Sequence, residues 1–246
     1  MKISIITAVY NRDSTILNCI ESVKSQTYKD IEHIFIDGNS LDNTLSIVKK
    51  NAHQDSKILS EYDDGIYDAI NKGILLSDGE IIGLLHSDDL FFNNNILSDV
   101  AKIFEDHEID AVFGDAQYFK GKPSNVVRYF SSRRFNGKNI DFGWMPAHST
   151  IFFRRCVFEK YGLYKTNYKI AADVEFIART FVKKKIKYIY LERVLVLMRV
   201  GGISTSGLVS TIILNYEFLK ALRENSIPTN LLKILSRYPK KLLEFL

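Results

Sequence analysis

The sequence predicts an α/β fold with a mostly parallel central sheet, helices on both of its faces, and amphipathic helices at the C-terminus. Over the first 120 residues, short apolar runs alternate with helical patterns, as they do in doubly wound sheets. Acidic residues directly follow two of the predicted strands, at the edge where open sheets bind ligands. The length of 246 residues, with 46% hydrophobic and 25% charged residues, is ordinary for a globular protein.

The first half of the chain supplies the elements of this sheet. The apolar runs predict strands at residues 3–9, 31–36, 57–60, 80–85 and 111–119. Helical periodicity predicts helices at residues 13–26, 43–51, 65–76 and 95–106. In the first helix, for example, Ile16, Ile20 and Val23 fall on one face, and Asp42 is placed to cap the second.

The second half is less regular. Residues 120–150 are rich in Lys, Arg, Ser, Asn and Gly, which predicts a long loop or a pair of short strands. The pattern beyond them predicts one helical region, two strands and two amphipathic helices, which fall at residues 155–184, 188–191, 194–200, 208–224 and 229–246. Gly201 and Gly202 interrupt the pattern after the strands, and Pro228 separates the last two helices.

Charge is distributed unevenly along the chain. Residues 1–175 carry 20 Lys and Arg against 25 Asp and Glu, whereas residues 176–246 carry 13 against 4. An acidic first part suits a site that holds a cation, and a basic second part suits phosphate, nucleic acid or anionic lipid. The alternative is an uneven but solvated surface. No nucleic-acid-binding motif accompanies the basic residues, so we expect no nucleic-acid partner.

The chain shows no targeting or membrane-spanning pattern. It begins with a strand pattern instead of a charged and then apolar leader, and no apolar run approaches the ~18 residues typical of a transmembrane helix. Its two cysteines, Cys19 and Cys156, form neither a disulfide framework nor a zinc-binding spacing. These features predict a cytoplasmic protein in a reducing compartment.

The strongest chemical signal is a pair of adjacent carboxylates after the fourth predicted strand. Asp88 and Asp89 follow the run Gly83–Ser87 and therefore lie at the ligand-binding edge of the sheet. Adjacent carboxylates repel each other unless a cation neutralises them, and Mg²⁺ and Mn²⁺ prefer such oxygen ligands. The pair therefore predicts a divalent metal site. The alternative is that one of the two simply caps the helix at residues 95–106.

Several segments around this pair resemble the inverting glycosyltransferases of family 2, which have a GT-A fold. The similar segments occur in the expected order at residues 3–11, 22–28, 34–44 and 60–73, and the last is like a segment of members that build bacterial surface polysaccharides. Weaker similarity extends to about residue 205. The resemblance implies a catalytic domain at residues 1–207, in which 1–119 bind the nucleotide and 120–207 the acceptor, followed by basic amphipathic helices at 208–246.

For the nucleotide-sugar, the resemblance implies a set of binding residues spread over four segments. Asp37 would accept a hydrogen bond from the base or ribose, and the ring of Tyr10 would stack on the base. Asp88 would face the diphosphate, and Asp88 and Asp89 would hold the metal. The remaining predicted nucleotide-sugar ligands are Thr7, Ala8, Asp64, Asp68, Asn71 and Lys72. Two alternatives are that Tyr10 is a core aromatic and that Asp64 and Asp68 only mark a helix N-terminus.

The catalytic residue implied by the resemblance is Asp173. In the family, an Asp at the start of this helix is the general base that takes the proton from the acceptor hydroxyl. Relatives often carry Glu before this Asp, where this chain has Ala172, and an acidic residue or Asn where it has His86. The alternative for Asp173 is a plain helix cap, with Glu175 in the first turn.

The acceptor side is implied by two further segments. Residues 142–150 resemble the acceptor loop, where Trp144 would be a sugar platform and His148 would bind a hydroxyl or phosphate; Glu175 is a further candidate on this side. A core Trp and a structural His are the alternatives. Residues 199–206 resemble a lid over the diphosphate, in which Arg199 would neutralise leaving-group charge; a simple turn is the alternative.

The C-terminal helices combine apolar and aromatic residues with interleaved cations. This composition suits attachment to an anionic membrane surface, where lipid-linked acceptors lie. The alternative is that the helices pack on the catalytic domain or on a second subunit. The interleaved cations are Lys220, Arg223, Lys233, Arg237, Lys240 and Lys241.

Together, these features predict a metal-dependent inverting glycosyltransferase that uses Mn²⁺ or Mg²⁺. Its expected donor is a nucleotide-sugar, with UDP the commonest nucleotide in the family, and its acceptor a glycan or lipid-linked glycan of a cell-surface polysaccharide such as O-antigen or capsule. It would be a hexosyl- or N-acetylhexosaminyltransferase, cytoplasmic or peripheral on the inner face of the plasma membrane. The alternative is a non-catalytic nucleotide- or glycan-binding subunit. A nucleotidyltransferase would want a Gly-rich phosphate loop near the N-terminus, which residues 7–11 lack.

Overall fold

The computed structural model describes residues 1–137, 139–201 and 207–241, with the backbone alone given for Leu208, Lys240 and Lys241. In the described ranges, nine strands form one sheet. The strands are β1 (Ile3–Val9), β2 (Ile31–Asp37), β3 (Lys57–Ser60), β4 (Ile81–Leu84), β5 (Leu90–Phe91), β6 (Ala111–Phe119), β7 (Val126–Phe130), β8 (Phe152–Arg154) and β9 (Tyr188–Arg199).

The sheet is mainly parallel, as predicted. Its order is β3-β2-β1-β4-β8-β6-β9-β5, with β7 paired to β6. Strands β1 to β4, β6 and β9 run in one direction, and β5, β7 and β8 run against them. The parallel half brings the carboxyl ends of β1, β2 and β4 to one edge, which is the predicted ligand-binding edge.

Helices cover both faces of the sheet. The helices are α1 (Ile16–Lys24), α2 (Thr44–Asn51), α3 (Ile66–Leu76), α4 (Ile96–Ile103), α5 (Arg155–Tyr161), α6 (Ala172–Ile177), α7 (Leu208–Glu224), α8 (Leu231–Leu235) and α9 (Arg237–Lys241). Helix α6 continues into a π-helical segment, Ala178–Lys183. Buried residues of α1, α2 and α4 pack in one apolar core, and those of α3, α5, α6 and α7 pack in the other.

The second half of the chain departs from the prediction in its details. The helical region expected at residues 155–184 is two helices, because Gly162 ends α5 with a positive φ of 83° and a loop follows it. The strands expected at 188–191 and 194–200 are one strand with irregular pairing to β6. The short strands β5 and β8 had no periodic signal to reveal them, and β7 lies in the irregular segment.

The C-terminal helices share a core with the sheet and its helices. Phe218, Ala221 and Leu222 of α7 and Ile234 of α8 are buried in the same apolar cluster as α3 and α6. The predicted boundary at residue 207 therefore does not separate two cores. The helix expected at 229–246 is divided into α8 and α9, and residues 242–246 lie outside the described residues. Within the described ranges, no helix is both long and apolar enough to cross a bilayer.

Candidate active site

The register of the parallel strands gathers the predicted nucleotide site at one edge. Val9 at the end of β1 pairs with Asp37 at the end of β2, and Asp37 pairs with Ser60 at the end of β3. The Asp37 carboxylate is buried and accepts hydrogen bonds from the Ser60 hydroxyl at 2.6 Å and from the backbone N–H of Ser40 at 3.2 Å. These internal contacts fix the carboxylate at the sheet edge.

An aromatic ring and a carboxylate flank the backbone just beyond Asp37. A Cβ atom added to Gly38 would lie 2.6 Å from Asp63 Oδ2 and 3.5 Å from Tyr10 Cδ2, so a larger residue here would push against the Asp63 carboxylate. The Tyr10 side chain is 54% exposed, which rules out the alternative of a core aromatic. Asp63, which the sequence reasoning passed over in favour of Asp64, is therefore the acidic residue beside Tyr10. Its neighbour Asp64 is exposed.

Thr7 and Ala8 differ from the expected base-pocket lining. The Thr7 side chain is fully buried, with Oγ1 3.0 Å from His33 Nε2 and 2.9 Å from the Leu85 carbonyl oxygen. Ala8 is partly buried and packs against the core on the α3 side. Since the side chain of Thr7 points into the sheet, only its backbone could line a nucleotide pocket.

The carboxylate pair lies beyond β4, at the same edge. Asp89 is only 2% exposed, and its Oδ1 accepts a hydrogen bond from the Arg199 backbone N–H at 3.0 Å. Its Oδ2 is buried and has no partner with hydrogen-bond geometry among the described residues, and the nearby Ser149 side chain favours the ionised form of Asp89. Burial and the adjacent charge of Asp88 raise the pKa of Asp89 well above its usual range, and the Arg199 N–H, the Ser149 side chain and the charge of Arg199 oppose this only in part.

This arrangement fits a divalent cation. A buried carboxylate oxygen without a partner is costly, and a cation bound there would remove both that cost and the repulsion from Asp88. Among the described residues, no group of three or more His, Cys, Asp or Glu side chains could hold a metal ion. Mg²⁺ and Mn²⁺ sites often have only one or two carboxylates and take further ligands from water and substrate phosphates.

A series of polar side chains connects the carboxylate pair to Asp173. His86 is influenced by the charge of Asp88, and its ring centroid lies 6.0 Å from that of His148. His148 Nε2 is 3.0 Å from the Tyr164 hydroxyl, and the Tyr164 ring lies 6.0 Å from Tyr67. Burial lowers the pKa of both His86 and His148, the latter to about 3, so both imidazoles are neutral at pH 7.

Asp173 lies at the other end of this series, in the first turn of α6. Its Oδ1 accepts hydrogen bonds from the Val174 N–H at 2.8 Å and from the Tyr67 hydroxyl at 3.3 Å. Burial raises the pKa of Asp173 to about 6, although these hydrogen bonds favour the ionised form. A carboxylate with this pKa is ionised at pH 7 and is still a competent proton acceptor.

Three predicted ligands on α3, Asp68, Asn71 and Lys72, make contacts within the protein. The Asn71 side chain exchanges two hydrogen bonds with the backbone of Tyr164, at 2.8 and 3.0 Å. Lys72 forms ion pairs with Glu61 at 2.8 Å and with Asp68 at 3.2 Å. Both amide atoms of Asn71 are thus engaged with Tyr164, and Lys72 and Asp68 pair with each other; the role of the three as nucleotide-sugar ligands stays a prediction.

Three residues expected near the acceptor or diphosphate also make internal contacts. Trp144 is buried with the Arg134 guanidinium 4.9 Å from its ring, so the core alternative is correct. Glu175 is buried and paired with Arg179 at 2.9 Å, which removes it from the acceptor side. The Arg199 guanidinium packs on the Phe119 ring and donates to the Gly121 carbonyl at 3.0 Å, so only its backbone N–H reaches Asp89.

The predicted lid spans residues 199–206, and its residues 202–206 lie outside the described residues.

Tyr67 lines a cleft of about 370 Å³. The other lining residues come from the turn before α3 and its first residue, at 64–66, and from the loop before α6, at 166–169. Because Tyr67 lines the cleft and hydrogen-bonds to Asp173, the cleft lies next to the candidate base.

Known proteins are similar to this chain in sequence and in fold. The profile of the family described as Glycosyl transferase family 2 matches residues 4–162, which is more than half of the chain. The chain is 30% identical over 226 residues to a protein of Mycobacterium bovis named PGL/p-HBAD biosynthesis glycosyltransferase, covering 89% of this chain and 83% of that protein.

Two solved structures share the fold. One is S. aureus TarS 1-349 in complex with UDP-GlcNAc, with a TM-score of 0.72, 20% identity, and coverage of 92% of this chain and 65% of that one. The other is the mannosyltransferase PcManGT from Pyrobaculum calidifontis in complex with GDP-Man and Mn2+, with a TM-score of 0.67 and 19% identity, covering 91% of this chain and 63% of that one. This chain thus spans less than two thirds of either structure. At these identities the likeness concerns the fold, and it confirms the predicted GT-A architecture.

The family match over residues 4–162 and the similarity to the M. bovis protein both show which family this chain belongs to. The chain is therefore a glycosyltransferase, and it belongs to glycosyl transferase family 2.

Proposed function

We propose that this glycosyltransferase is metal-dependent and inverting, and that it transfers a hexosyl or N-acetylhexosaminyl group from a nucleotide-sugar, with UDP as the nucleotide. The proposed acceptor is a glycan or lipid-linked glycan of a cell-surface polysaccharide. The observation that carries the proposal is the buried, unpartnered Oδ2 of Asp89 next to Asp88, on the nucleotide-binding edge of the sheet. The neighbours in complex with UDP-GlcNAc and with GDP-Man and Mn2+ support the choice of donor class and metal.

Asp88 and Asp89 would hold the metal. When bound, a divalent cation supplies Lewis-acid stabilisation of the charge that develops on the leaving nucleoside diphosphate. The protein adds the Arg199 backbone N–H, which holds one oxygen of Asp89 at 3.0 Å and leaves the other free for the cation. A cation would favour the ionised forms of both Asp88 and Asp89, which burial and mutual repulsion otherwise oppose at Asp89.

On the nucleotide side, Tyr10, Asp37 and Asp63 form the proposed base and ribose pocket. The exposed Tyr10 ring offers an apolar face for stacking. Asp63 has one oxygen committed to the Gly65 N–H at 2.9 Å, and its other oxygen lies beside Gly38. This leaves Asp63 able to accept a hydrogen bond from a ligand, whereas Asp37 is held by Ser40 and Ser60.

Asp173 is the proposed base. Its carboxylate takes the proton from the acceptor hydroxyl while that oxygen forms a bond to the anomeric carbon and the bond to the diphosphate oxygen breaks. A single displacement of this kind inverts the anomeric centre. The Tyr67 hydroxyl and the Val174 N–H orient the carboxylate, and the cleft beside Tyr67 is the proposed entry for the acceptor.

The proposed site of action is the cytoplasmic face of the plasma membrane. Exposed apolar side chains of α7 support peripheral attachment, since Val209, Ile212 and Tyr216 share one helix face and are 68–70% exposed. Attachment there would bring the cleft near lipid-linked acceptors.

The test is a donor screen in which binding and turnover are measured separately. Thermal unfolding is followed with UDP-, GDP- and dTDP-sugars, each with and without Mn²⁺, and transfer of labelled sugar is assayed in parallel. A ligand at 100 times its dissociation constant adds about 2.7 kcal/mol of stability, which is a shift of several degrees for a chain of this size. We expect this shift for UDP-sugars, only with metal.

The variant Asp89→Asn tests the carrying observation, with Asp55→Asn as its matched control. Asp55 is an exposed acid paired only with His53 on the surface. We expect Asp89→Asn to lose the metal-dependent shift and at least about 100-fold of the transfer rate, because the cation loses a charged ligand, and Asp55→Asn to retain both. Full metal-dependent transfer by Asp89→Asn would refute the assignment, and binding without turnover by the wild type would point to a non-catalytic subunit.

A further inference from the structure

The loop that presents Asp173 is held by a carboxylate from the C-terminal part of the chain. Glu217 of α7 is 7% exposed and accepts hydrogen bonds from three consecutive backbone N–H groups. Its Oε1 lies 2.7 Å from the Lys169 nitrogen, and its Oε2 lies 2.8 Å from the Ile170 nitrogen and 2.9 Å from the Ala171 nitrogen. These residues lead directly into α6, where Asp173 is the second residue.

Helix α6 has no side-chain cap at its N-terminus, and the Glu217 contacts lie on the loop just ahead of it. The capping position is Ala171, whose side chain cannot accept a hydrogen bond, and the first N–H groups of a helix lack partners within the helix. Glu217 accepts the N–H groups of the loop residues up to Ala171, ahead of the first turn of α6, and within that turn the Val174 N–H donates to Asp173 Oδ1. As a result, α7 fixes the loop ahead of the candidate base.

A second contact, from Tyr67 of α3, fixes the same loop. The Tyr67 hydroxyl of α3 donates to the Ile170 carbonyl at 2.5 Å and approaches Asp173 Oδ1 at 3.3 Å. The peptide groups around Ile170 are thus held by Glu217 through the N–H groups and by Tyr67 through the carbonyl. Asp173 follows three residues later, so a displacement at Ile170 moves its carboxylate.

We propose that Glu217 is a positioning residue for Asp173: by accepting the N–H groups of residues 169–171, it sets where the Asp173 carboxylate meets the acceptor hydroxyl. This inference rests on the proposed function, because it takes Asp173 as the base. The carboxylate of Glu217 also places a negative charge near Asp173, which favours the protonated form of the base.

The charge environment of Asp173 comes from four elements. Tyr67 faces it from α3, Tyr164 from the loop after α5, Glu217 from α7 and Arg237 from α9. Of these, Glu217 is the only one described here that both holds the loop and raises the pKa of Asp173. Its removal should therefore change position and pKa together.

Two substitutions separate these effects. Glu217→Gln keeps the size but removes the charge and turns an NH₂ group toward N–H donors, so the loop shifts and the pKa of Asp173 falls. Glu217→Asp keeps the charge but shortens the reach, so the loop shifts while the pKa changes less. Glu224→Gln is the matched control, since it removes an acid from the same helix that forms an exposed ion pair with Lys165.

The experiment measures steady-state kinetics across pH and, independently of turnover, the pKa of Asp173 by carbon-detected NMR titration. We expect both Glu217 variants to lose about tenfold or more in kcat, because a small misplacement of a catalytic group is costly. The donor KM should remain within about twofold, because the donor site lies elsewhere. In Glu217→Gln the acidic limb and the NMR pKa should move to lower pH, and Glu224→Gln should match the wild type.

The proposal is overturned if Glu217→Gln and Glu217→Asp retain the kcat of the control and the pKa of Asp173 is unchanged in Glu217→Gln. If Glu217→Gln does not fold, the kcat of Glu217→Asp decides. If the wild type transfers no sugar from any donor, the proposed function fails. The NMR titration then still decides whether Glu217 controls Asp173, because a pKa that falls in Glu217→Gln and not in Glu224→Gln supports the coupling.

Discussion

Asp173 is a carboxylate whose surroundings pull its pKa in opposite directions. Burial raises the pKa to about 6, and the charge of Glu217 adds to that effect, whereas hydrogen bonds from Val174 and Tyr67 lower it. Burial is the largest of these influences, so the proton affinity of the base is higher than that of an exposed Asp. A base of this kind is more strongly driven to accept a proton and is still ionised near neutral pH.

We expect kcat/KM to fall as the pH drops through about 6, because the ionised form of Asp173 is the active one. The measurement is a pH profile of sugar transfer between pH 5 and 8.5 at fixed metal concentration. Asp173→Asn should abolish transfer at every pH. A profile that is flat down to pH 5 would show that another group is the base.

The same shift predicts how Asp173→Asn affects stability, which serves as the control. A raised pKa in the folded state means that the contribution of Asp173 to stability is present at low pH and is lost as the pH rises through about 6. At pH 8 the ionised side chain is therefore unfavourable in the fold, and the neutral Asn avoids that cost. Asp173→Asn should accordingly be at least as heat-stable as the wild type at pH 8, so its inactivity cannot be attributed to unfolding.

The positions of the strand-end residues could be predicted from the sequence, but the contacts of their side chains could not. Asp37, Asp88 and Asp89 could be predicted because a residue directly after a buried parallel strand lies at the carboxyl edge of the sheet. Whether Asp63 or Asp64 faces Tyr10 depends on the direction of each side chain, which the sequence does not give. The same holds for the contacts of Asn71 and Glu175. Contacts such as that of Asn71 with Tyr164 join residues far apart in sequence, and no local pattern reveals them.

At the scale of elements, helix α7 has one buried face and one exposed apolar face. One face carries Phe218, Ala221 and Leu222 into the core and Glu217 to the loop ahead of α6. The other exposes Val209, Ile212 and Tyr216. The sequence pattern predicted the bounds of this helix, but its periodicity alone could not show which apolar stripe would be buried, because both stripes contain large apolar residues.

Phe218→Ala should destabilise the whole domain. Phe218 is 2% exposed and lies in the core shared with α3 and α6, so its loss should lower the free energy of unfolding by about 3–5 kcal/mol. Val209→Ala, at an exposed position of the same helix, should change it by less than about 0.5 kcal/mol. Urea unfolding at pH 7 measures both. Equal, small effects would mean that α7 does not belong to the core.

The same limits of local pattern explain the elements that were missed. Strands β5 and β8 contain two and three residues, which is too short for any periodicity. The loop at residues 162–171 was assigned to a helix because its apolar residues follow helical spacing, and a single Gly with positive φ ends the helix before it. The main strands of the first half were predicted closely because each combines a buried apolar run with turn residues at its end.

For the whole molecule, the cations of the C-terminal helices at residues 208–241 are less available than the sequence suggests. Lys233 is paired with Asp141 at 2.9 Å, Arg237 is buried against the Phe218 ring, and Lys220 lies 4.3 Å from the Tyr168 ring. Arg223 remains exposed. Any binding to a membrane surface should therefore depend strongly on the exposed apolar face of α7, with electrostatic attraction as the smaller part.

This balance determines how membrane binding has to be tested. A chain truncated near residue 207 would lose Phe218 and Glu217 and is expected to unfold, so it cannot serve as the test variant. Substitution of Val209, Ile212 and Tyr216 by Ser removes the exposed face and leaves the buried one unchanged. The matched control replaces Leu41 and Leu75, which are 82% and 72% exposed in other parts of the molecule.

We expect the full chain to sediment with vesicles that contain anionic lipid, and the fraction bound to fall only moderately when salt is raised, because the apolar part of the binding is not screened. The triple Ser variant should lose most of the binding and keep its unfolding temperature, whereas the Leu41 and Leu75 control should bind like the wild type. If the triple variant binds undiminished, the α7 face is not the attachment surface. If the wild type does not bind at all, the membrane location is wrong, while the proposed sugar transfer at Asp89 and Asp173 is unaffected, since neither residue depends on that face.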